Sequence, residues 1–335
     1  MRRLAACLLL LSGCGQAPDL PPAAPLDASP AALQQIPHLA PGPHAVEQHD
    51  VADWSVAGRD LRLRITAPAG AGPWPLLVFS HGFASDTDQY DALLTHWASH
   101  GYLSIAPAHY DSGGTLRAIA MSLWHGKDGL IEGRVDDLRL ILAHLDALDD
   151  ALPGLSARID RSRIAAAGHS FGAFSAQQLG GAVAIYPESG TRIEGHDPRV
   201  KAVVAVSPPG EMFGWINARS WRTMQTPMLA TTGTWDVDGH FVTDWPPHRL
   251  SFHTAPAEPR WLLVIQGADH CLGSRICRTD RGQAPQHDAL RMLNATTVSF
   301  LDAQLLDDAS AADYLDSGNL ARLTNGFAAL TAGQD

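Results

Sequence analysis

The sequence predicts an α/β fold in which a mostly parallel, eight-stranded sheet carries helices on both faces. Short apolar runs alternate along the chain with longer amphipathic segments, as strands alternate with helices in this fold class. Several of these runs end in glycine-containing turns, which is typical of strands that are buried on both faces. Residues 46–335 have a suitable length for one such sheet and contain no internal repeat.

The individual strands and helices can be placed in chain order. The first two strands flank a turn at Gly58, and the apolar run that ends at His81-Gly82 predicts a fully buried strand. The predicted strands are Val51–Val56, Leu61–Thr66, Leu76–Ser80, Leu103–Ala106, Arg163–Ala167, Val200–Val206, Pro227–Thr232 and Trp261–Ile265. The predicted helices are Asp88–His100, Val135–Leu148, Phe171–Gly180 and Ala284–Leu306. Residues 112–133 and 208–226 show little pattern and are candidates for a lid or a substrate rim.

The N-terminus has the pattern of a processing signal and does not belong to the predicted fold. Arg2 and Arg3 precede the apolar stretch Leu4–Leu11, which is too short to span a bilayer. The stretch ends in Leu11-Ser12-Gly13-Cys14, which resembles a bacterial lipoprotein signal. We therefore expect removal of residues 1–13, a lipid on Cys14 and a lipid-anchored protein in the bacterial cell envelope, at the outer membrane. The alternative is an ordinary secretory signal that contains a cysteine.

Composition sets the remaining domain boundaries and excludes some partners. Residues 14–45 hold eight prolines and much alanine without periodicity, which predicts an extended tether between the lipid and a folded domain over 46–335. The net charge of the chain is −11, and no basic run follows the signal. Nucleic acids and anionic membrane surfaces are therefore poor partners, and membrane contact is expected through the lipid only.

The strongest internal motif is Gly168-His169-Ser170-Phe171-Gly172, which lies between a predicted strand and a predicted helix. A tight strand-to-helix turn of this kind exposes the serine hydroxyl above the sheet edge and places a backbone N–H beside it. Ser170 is therefore the candidate nucleophile. A glycine-lined turn without catalysis is the alternative, and the strand and helix on either side argue against it.

A serine nucleophile needs a base and an orienting acid. In α/β folds with this strand-turn-helix serine motif, the chain order is serine, then acid, then histidine. Asp236 lies just after the strand Pro227–Thr232, and His270 lies just after the strand Trp261–Ile265. Functional side chains gather at the carboxyl ends of parallel strands, so these two are the candidate acid and base. Asp238 is the alternative acid. The fragment Asp236-Val-Asp238-Gly239 also resembles part of a calcium loop, but the remaining ligands are missing.

The oxyanion that forms during acyl transfer needs two fixed hydrogen-bond donors. The backbone N–H of Phe171 follows the nucleophile directly. The loop His81-Gly82-Phe83 follows a buried strand, and Gly82 lets its backbone approach the substrate closely. The N–H groups of Phe83 and Phe171 are therefore the candidate oxyanion hole, with simple loop packing as the alternative role for Phe83.

Cysteine usage agrees with export from the cytoplasm. Cys7 would leave with the signal and Cys14 would carry the lipid, so that Cys271 and Cys277 would remain. An even pair close in sequence, in an oxidising compartment, predicts one disulfide.

Seven segments together resemble the dienelactone hydrolase-like and platelet-activating-factor acetylhydrolase-like branch of the α/β-hydrolases, over about residues 50–318. They are Pro75–Phe83, His100–Pro107, Arg134–Leu138, Asp160–Gly172, Thr231–Asp236, Leu262–His270 and Thr297–Gln304. The resemblance implies an α/β-hydrolase fold, the triad Ser170, Asp236 and His270, and a carboxylester hydrolase without cofactor or metal. It also implies a small-molecule or lipid-like ester as the substrate.

Two departures narrow this expectation. Dienelactone hydrolases carry a cysteine nucleophile, whereas this chain has Ser170 at that place. Related polyester hydrolases carry an aromatic residue in the loop that here reads Ser207-Pro208-Pro209-Gly210, which argues against polyester cleavage. Trp215, Trp221 and Trp235 are candidates for rebuilding an apolar acyl site, with core or rim packing as the alternative.

Several functions remain compatible with these residues. The same triad serves thioesterases, peptidases and perhydrolases, which the sequence does not separate. A non-catalytic lipoprotein that binds a ligand in the cleft is a second class. A metallohydrolase is a third, suggested by the sixteen histidines, although no H-E-x-x-H or similar spacing occurs.

Overall fold

A computed structural model describes residues 25–212, 214–237, 242–277 and 284–333. Within these residues, nine strands form one sheet in the spatial order β1-β2-β4-β3-β5-β8-β9-β10-β11, and β6 and β7 form a separate hairpin. The strands are β1 (Val46–Val56), β2 (Arg59–Pro68), β3 (Trp74–Ser80), β4 (Leu103–Pro107), β5 (Ile159–His169), β6 (Val183–Ile185), β7 (Arg192–Glu194), β8 (Val200–Val206), β9 (Met228–Trp235), β10 (Arg260–Asp269) and β11 (Ala328–Ala332). The neighbours from β4 to β10 run parallel, whereas β1, β2 and β11 pair antiparallel at the edges.

Helices cover both faces of the sheet. They are α1 (Pro30–Leu33), α2 (Asp91–Ser99), α3 (Thr115–Ala143), α4 (Leu148–Ala151), α5 (Phe171–Leu179), α6 (Leu250–Thr254), α7 (His287–Leu305), α8 (Ala309–Asp316) and α9 (Leu320–Leu323). Along β3, Leu76 and Val78 face the core formed with α3 and α5, while Leu77 and Phe79 face the core formed with α2 and α7. This alternation is what a strand buried on both faces produces. The predicted fold class is confirmed, and the fold is that of an α/β-hydrolase.

The sheet has one strand more than predicted. β11 pairs antiparallel with β10, and its sequence Ala-Ala-Leu-Thr-Ala carries few of the branched or aromatic residues that indicate a strand. Because its register is set by the neighbour β10 and not by its own composition, the sequence alone did not predict it.

Helix α3 begins far earlier than the predicted start at Val135. It opens at Thr115 and contains a break at Gly126, whose φ of 75° is outside the helical range. On the first part of α3, Leu116, Leu123 and Trp124 are exposed, with 87%, 59% and 83% of their surface accessible. An apolar stripe that faces solvent, next to a glycine break, obscures the periodicity by which a core-facing helix is identified. The predicted lid segment 112–133 is therefore mostly helical.

The predicted tether over 14–45 is wrong for residues 25–45. Ser29 caps the short helix α1, and Ile36 is only 3% exposed. Leu26, Leu33 and Leu39 pack against the same core as α2 and α7, so a proline-rich segment finds apolar partners on the domain surface. The predicted signal 1–13, Cys14 and the first part of the tether lie outside the described residues. No helix within the described part of the chain is long and apolar enough to cross a membrane.

Candidate active site

Ser170 occupies the turn between β5 and α5, as its motif predicts. Its φ of 55° and ψ of −124° are strained for a residue with a side chain, and its N–H donates to the carbonyl oxygen of Val206 at 2.9 Å. The turn packs so closely against β3 that a Cβ at Gly172 would collide with the carbonyl oxygen of Ser80, so this position needs glycine. The strand-turn-helix arrangement thus presents the Ser170 hydroxyl at the carboxyl edge of the sheet.

The structure brings the three residues of the predicted triad together. The Oγ atom of Ser170 lies 2.9 Å from Nε2 of His270, and Nδ1 of His270 lies 2.6 Å from Oδ1 of Asp236. Asp236 follows β9 and His270 follows β10, at the same edge of two adjacent parallel strands. Asp236 is fully buried and His270 is only 7% exposed. In this arrangement Nε2 of His270 is within reach of the Ser170 hydroxyl proton, and Asp236 can orient the imidazole.

Asp236 lies in surroundings that keep it ionised. Burial alone would raise its pKa, but the neighbouring imidazoles of His248 and His270 and hydrogen bonds from His270 and Ser207 hold the pKa well below its usual range. Thr232 also donates its hydroxyl hydrogen to Oδ2 of Asp236, at 2.8 Å. The alternative acid Asp238 and Gly239 of the calcium-loop fragment lie outside the described residues.

His248 is a neighbour of the site that the sequence did not predict. Its Nε2 lies 3.2 Å from Oδ1 of Asp236, and its Nδ1 lies 2.7 Å from the carbonyl oxygen of Pro208. Asp236, His248 and His270 offer three metal-ligand atoms within 4.8 Å of one another. A metal at that place would displace the hydrogen bond between Asp236 and His270, so the cluster does not fit a resident catalytic ion. His248 lies in the short 3-10 helix Pro246–Arg249, and no sequence motif marks it.

The predicted oxyanion loop lies beside Ser170. A Cβ built on Gly82 would stand 3.5 Å from the Cβ of Ser170, which places the loop His81–Phe83 against the nucleophile. Phe171 is the first residue of α5, where helix geometry leaves the backbone N–H without an intrahelical acceptor. The loop that contains Phe83 and the start of α5 at Phe171 therefore both lie next to Ser170.

A buried ion pair between Arg134 and Asp111 contacts the oxyanion loop. Arg134 and Asp111 are no more than 1% exposed, and Nη2 of Arg134 lies 2.6 Å from Oδ2 of Asp111. Arg134 also donates to the carbonyl oxygens of His81 at 2.6 Å and Gly82 at 3.3 Å. Its guanidinium lies 4.9 Å from the centre of the Phe171 ring. One side chain therefore contacts both sides of the candidate oxyanion hole.

We expect Asp111→Asn to lower the free energy of unfolding by about 3–5 kcal/mol, because it leaves the buried Arg134 charge without its counterion. Burial alone would raise the pKa of Asp111, but the neighbouring Arg134 holds it well below the usual range. The folded-state pKa is thus below the unfolded one, so this stabilisation is complete above about pH 4 and is lost as the pH falls further.

Urea unfolding at several pH values measures this effect. The difference between wild type and Asp111→Asn should shrink below about pH 4. Asp288→Asn is the control, because it removes an exposed partner of Arg291 and should change stability by less than about 1 kcal/mol. Equal unfolding midpoints for wild type and Asp111→Asn at pH 7 would contradict the assignment.

The predicted disulfide between Cys271 and Cys277 is present, with 5.0 Å between the two Cα atoms. It begins at the residue after His270, and both cysteines are buried. The Oδ1 atom of Asp269 accepts the N–H groups of Cys271 at 2.8 Å and Gly273 at 3.0 Å. The backbone on both sides of His270 is therefore fixed.

The tryptophans considered for an acyl site have different surroundings. Trp221 is fully buried and donates its indole N–H to Gln177 at 2.8 Å, so it belongs to the core. Trp215 packs against Tyr186, with ring centres 4.4 Å apart. Trp235 ends β9, immediately before Asp236, and is partly exposed. Trp235 therefore lies nearest in sequence to the site, and Trp221 does not serve it.

Comparisons with known proteins bear on the first half of the domain. A family model described as chlorophyllase matches residues 38–184, a span that includes the oxyanion loop and Ser170 but ends before Asp236. Chlorophyllase-1 of Arabidopsis thaliana is 47% identical over 45 residues, which are 13% of this chain and 14% of that protein. Together with the fold, this similarity supports the α/β-hydrolase superfamily and suggests a hydrolase. The similarity does not support the dienelactone hydrolase-like and platelet-activating-factor acetylhydrolase-like branch that the sequence motifs resemble.

Proposed function

We propose that the chain is a serine carboxylester hydrolase that works through an acyl-enzyme, with Ser170 as nucleophile, His270 as base and Asp236 as orienting acid. The observation that carries the proposal is the unbroken path from Ser170 through His270 to Asp236, with separations of 2.9 and 2.6 Å. These distances lie within hydrogen-bond reach, as nucleophilic catalysis by serine requires.

In the proposed reaction, the Oγ of Ser170 attacks the ester carbonyl carbon while Nε2 of His270 takes the hydroxyl proton. The N–H groups of Phe83 and Phe171 hold the negative oxygen of the tetrahedral intermediate. His270 then gives its proton to the leaving alcohol, and the acyl group stays on Ser170. Water then attacks the acyl carbon while His270 takes its proton, and His270 returns that proton to the Ser170 oxygen as the acid leaves. Asp236 stabilises the imidazolium in both steps.

The proposed substrate is a small-molecule or lipid-like ester with an apolar part. The N–H of Gly114, which precedes α3, donates to the carbonyl oxygen of Ala84 at 3.1 Å, so this helix starts next to the oxyanion loop. The exposed side chains of Leu116, Leu123 and Trp124 lie on the same part of α3. An apolar surface that begins at the site favours substrates with apolar chains.

Labelling with a fluorophosphonate and rates on matched substrates test the proposal. The wild-type protein should react with the probe, and kcat/KM should be higher for a nitrophenyl ester than for the matched anilide. A higher value for the thioester would support a thioesterase instead, and peroxyacid formation would support a perhydrolase. Nitrophenyl esters of increasing acyl length identify the preferred chain. An unlabelled protein would support a non-catalytic binding role, and loss of activity with chelators would support a metallohydrolase.

We further propose that residues 1–13 are a lipoprotein signal and that Cys14 carries a lipid anchoring the protein in the bacterial cell envelope. Cys14→Ser should move the protein from the membrane fraction to the soluble fraction, because the proposed anchor is the lipid on Cys14. Cys7→Ser should leave the protein in the membrane fraction. Membrane association of Cys14→Ser would contradict a lipid-only anchor.

A further inference from the structure

His169, the residue before the candidate nucleophile, has two hydrogen-bond partners that the proposed reaction does not use. It is 1% exposed, its Nδ1 lies 2.9 Å from the hydroxyl of Tyr90, and its Nε2 lies 2.8 Å from the carbonyl oxygen of His270. A carbonyl oxygen only accepts, so Nε2 carries the hydrogen. Burial lowers the pKa of His169 well below its usual value, so the ring is neutral and Nδ1 is an acceptor.

Tyr90 connects this ring to the oxyanion loop. Its side chain is fully buried, and its hydroxyl oxygen accepts the N–H of Gly82 at 2.9 Å. The same hydroxyl must donate its hydrogen to Nδ1 of His169, because that nitrogen has none. The direction of every bond is thus determined: Gly82 donates to Tyr90, Tyr90 donates to His169, and His169 donates to the backbone of His270.

This chain of hydrogen bonds joins the three loops that meet at the site. Gly82 precedes Phe83 in the oxyanion loop, His169 precedes Ser170, and the final acceptor is the backbone of the base His270. Gly82 favours this contact, because a Cβ at that position would lie 3.0 Å from Nδ1 of His169 and 3.1 Å from the Tyr90 hydroxyl, and these side chains would have to shift. Movement of one loop would stretch bonds to the others, so the chain fixes the spacing between oxyanion donor, nucleophile and base.

The neutral state of His169 also matters for the base. The rings of His169 and His270 lie 4.7 Å apart, and a second positive charge at that distance would oppose protonation of His270 during the reaction. Because both nitrogens of His169 are engaged and the ring is buried, it holds the backbone of His270 without competing for its proton.

We infer that Tyr90 and His169 are positioning residues that couple the oxyanion loop to the catalytic base, an inference that rests on the proposed function. Their contribution should be to the rate of the chemical step and not to substrate binding, since both side chains are almost fully buried and offer a substrate almost no surface to contact. A one-ångström shift in such an arrangement costs up to about 100-fold in rate.

Four variants test the inference. Tyr90→Phe and His169→Leu should each lower kcat by about 10- to 100-fold with KM within about threefold of wild type. His169→Gln offers one acceptor and one donor without charge, and it should recover most of the loss. The double variant Tyr90→Phe/His169→Leu should be no slower than His169→Leu alone, because both changes interrupt one chain. Tyr102→Phe is the control, since Tyr102 is equally buried but bonds to Asp302 at the other end of β4.

Thermal unfolding of each variant separates loss of fold from loss of positioning. Wild-type kcat in Tyr90→Phe, additive losses in the double variant, or equal rates for His169→Gln and His169→Leu would overturn the inference. A wild-type protein that neither reacts with a fluorophosphonate nor cleaves esters would overturn the proposed function as well. If the wild type reacts with the probe and the variants keep its kcat, only the positioning role is overturned.

Discussion

Replacing Ser170 by alanine should lower kcat on any good ester substrate by about 10⁴-fold or more, while thermal unfolding stays close to that of wild type. The hydroxyl is the only group lost, and it is the atom that would form the acyl-enzyme. The backbone of the turn is held by the Val206 carbonyl and by the close approach of Gly172, neither of which needs the hydroxyl. The residual rate should reflect oxyanion stabilisation and binding alone.

Steady-state rates and fluorophosphonate labelling of the same preparation measure this effect. Ser189→Ala is a matched control, because Ser189 is exposed and its hydroxyl bonds to Thr191 within its own turn. That variant should keep wild-type rates and labelling. If the Ser170→Ala protein retains more than about a tenth of the wild-type rate, Ser170 is not the nucleophile.

Asp236→Asn should lower kcat by about 10³- to 10⁴-fold with little change in KM. The carboxylate accepts the Nδ1 hydrogen of His270 and is held ionised by His248, His270 and Ser207. An asparagine can turn its NH₂ group towards Nδ1, which fixes the wrong tautomer and leaves a hydrogen on Nε2, facing the Ser170 hydroxyl. The base would then be unable to take the proton.

Asp238→Asn is the control for this position, since Asp238 is the acid two residues further on and lies outside the described residues. We expect it to keep kcat within about tenfold of wild type. If Asp238→Asn loses activity and Asp236→Asn keeps it, the acid is Asp238 and the path from His270 to Asp236 is not the one used.

The strands that the sequence predicted well are those whose own composition determines them. β3 and β8 are runs of large or branched apolar residues bounded by turns, and their positions were predicted to within two residues. β11 depends on pairing with β10, whereas the first part of α3 has a solvent-facing apolar stripe next to a glycine break, and both were missed. The segment 25–45 has the composition of a linker, yet it packs on the core formed with α2 and α7. Local composition does not reveal an apolar surface that another part of the chain provides.

The same distinction holds for the candidate site. Ser170, Asp236 and His270 could be placed from the sequence because each follows a recognisable strand, and the carboxyl ends of parallel strands meet at one edge. The residues that support the triad and the oxyanion loop could not be placed from the sequence. Tyr90 lies 79 positions before His169, and Asp111 lies 23 before Arg134, with nothing in either segment to indicate its partner. Such pairs arise from the packing of helices on the sheet, which no short motif encodes.

The packing of residues 25–45 on the domain limits how far an anchored protein can extend. If Cys14 carries a lipid, about ten residues separate it from the part of the chain that is bound to the domain. A chain of that length spans at most about 35 Å, whatever its conformation. The catalytic domain would therefore remain within about one domain diameter of the bilayer, and its local supply of esters would be set by what the membrane surface holds or releases.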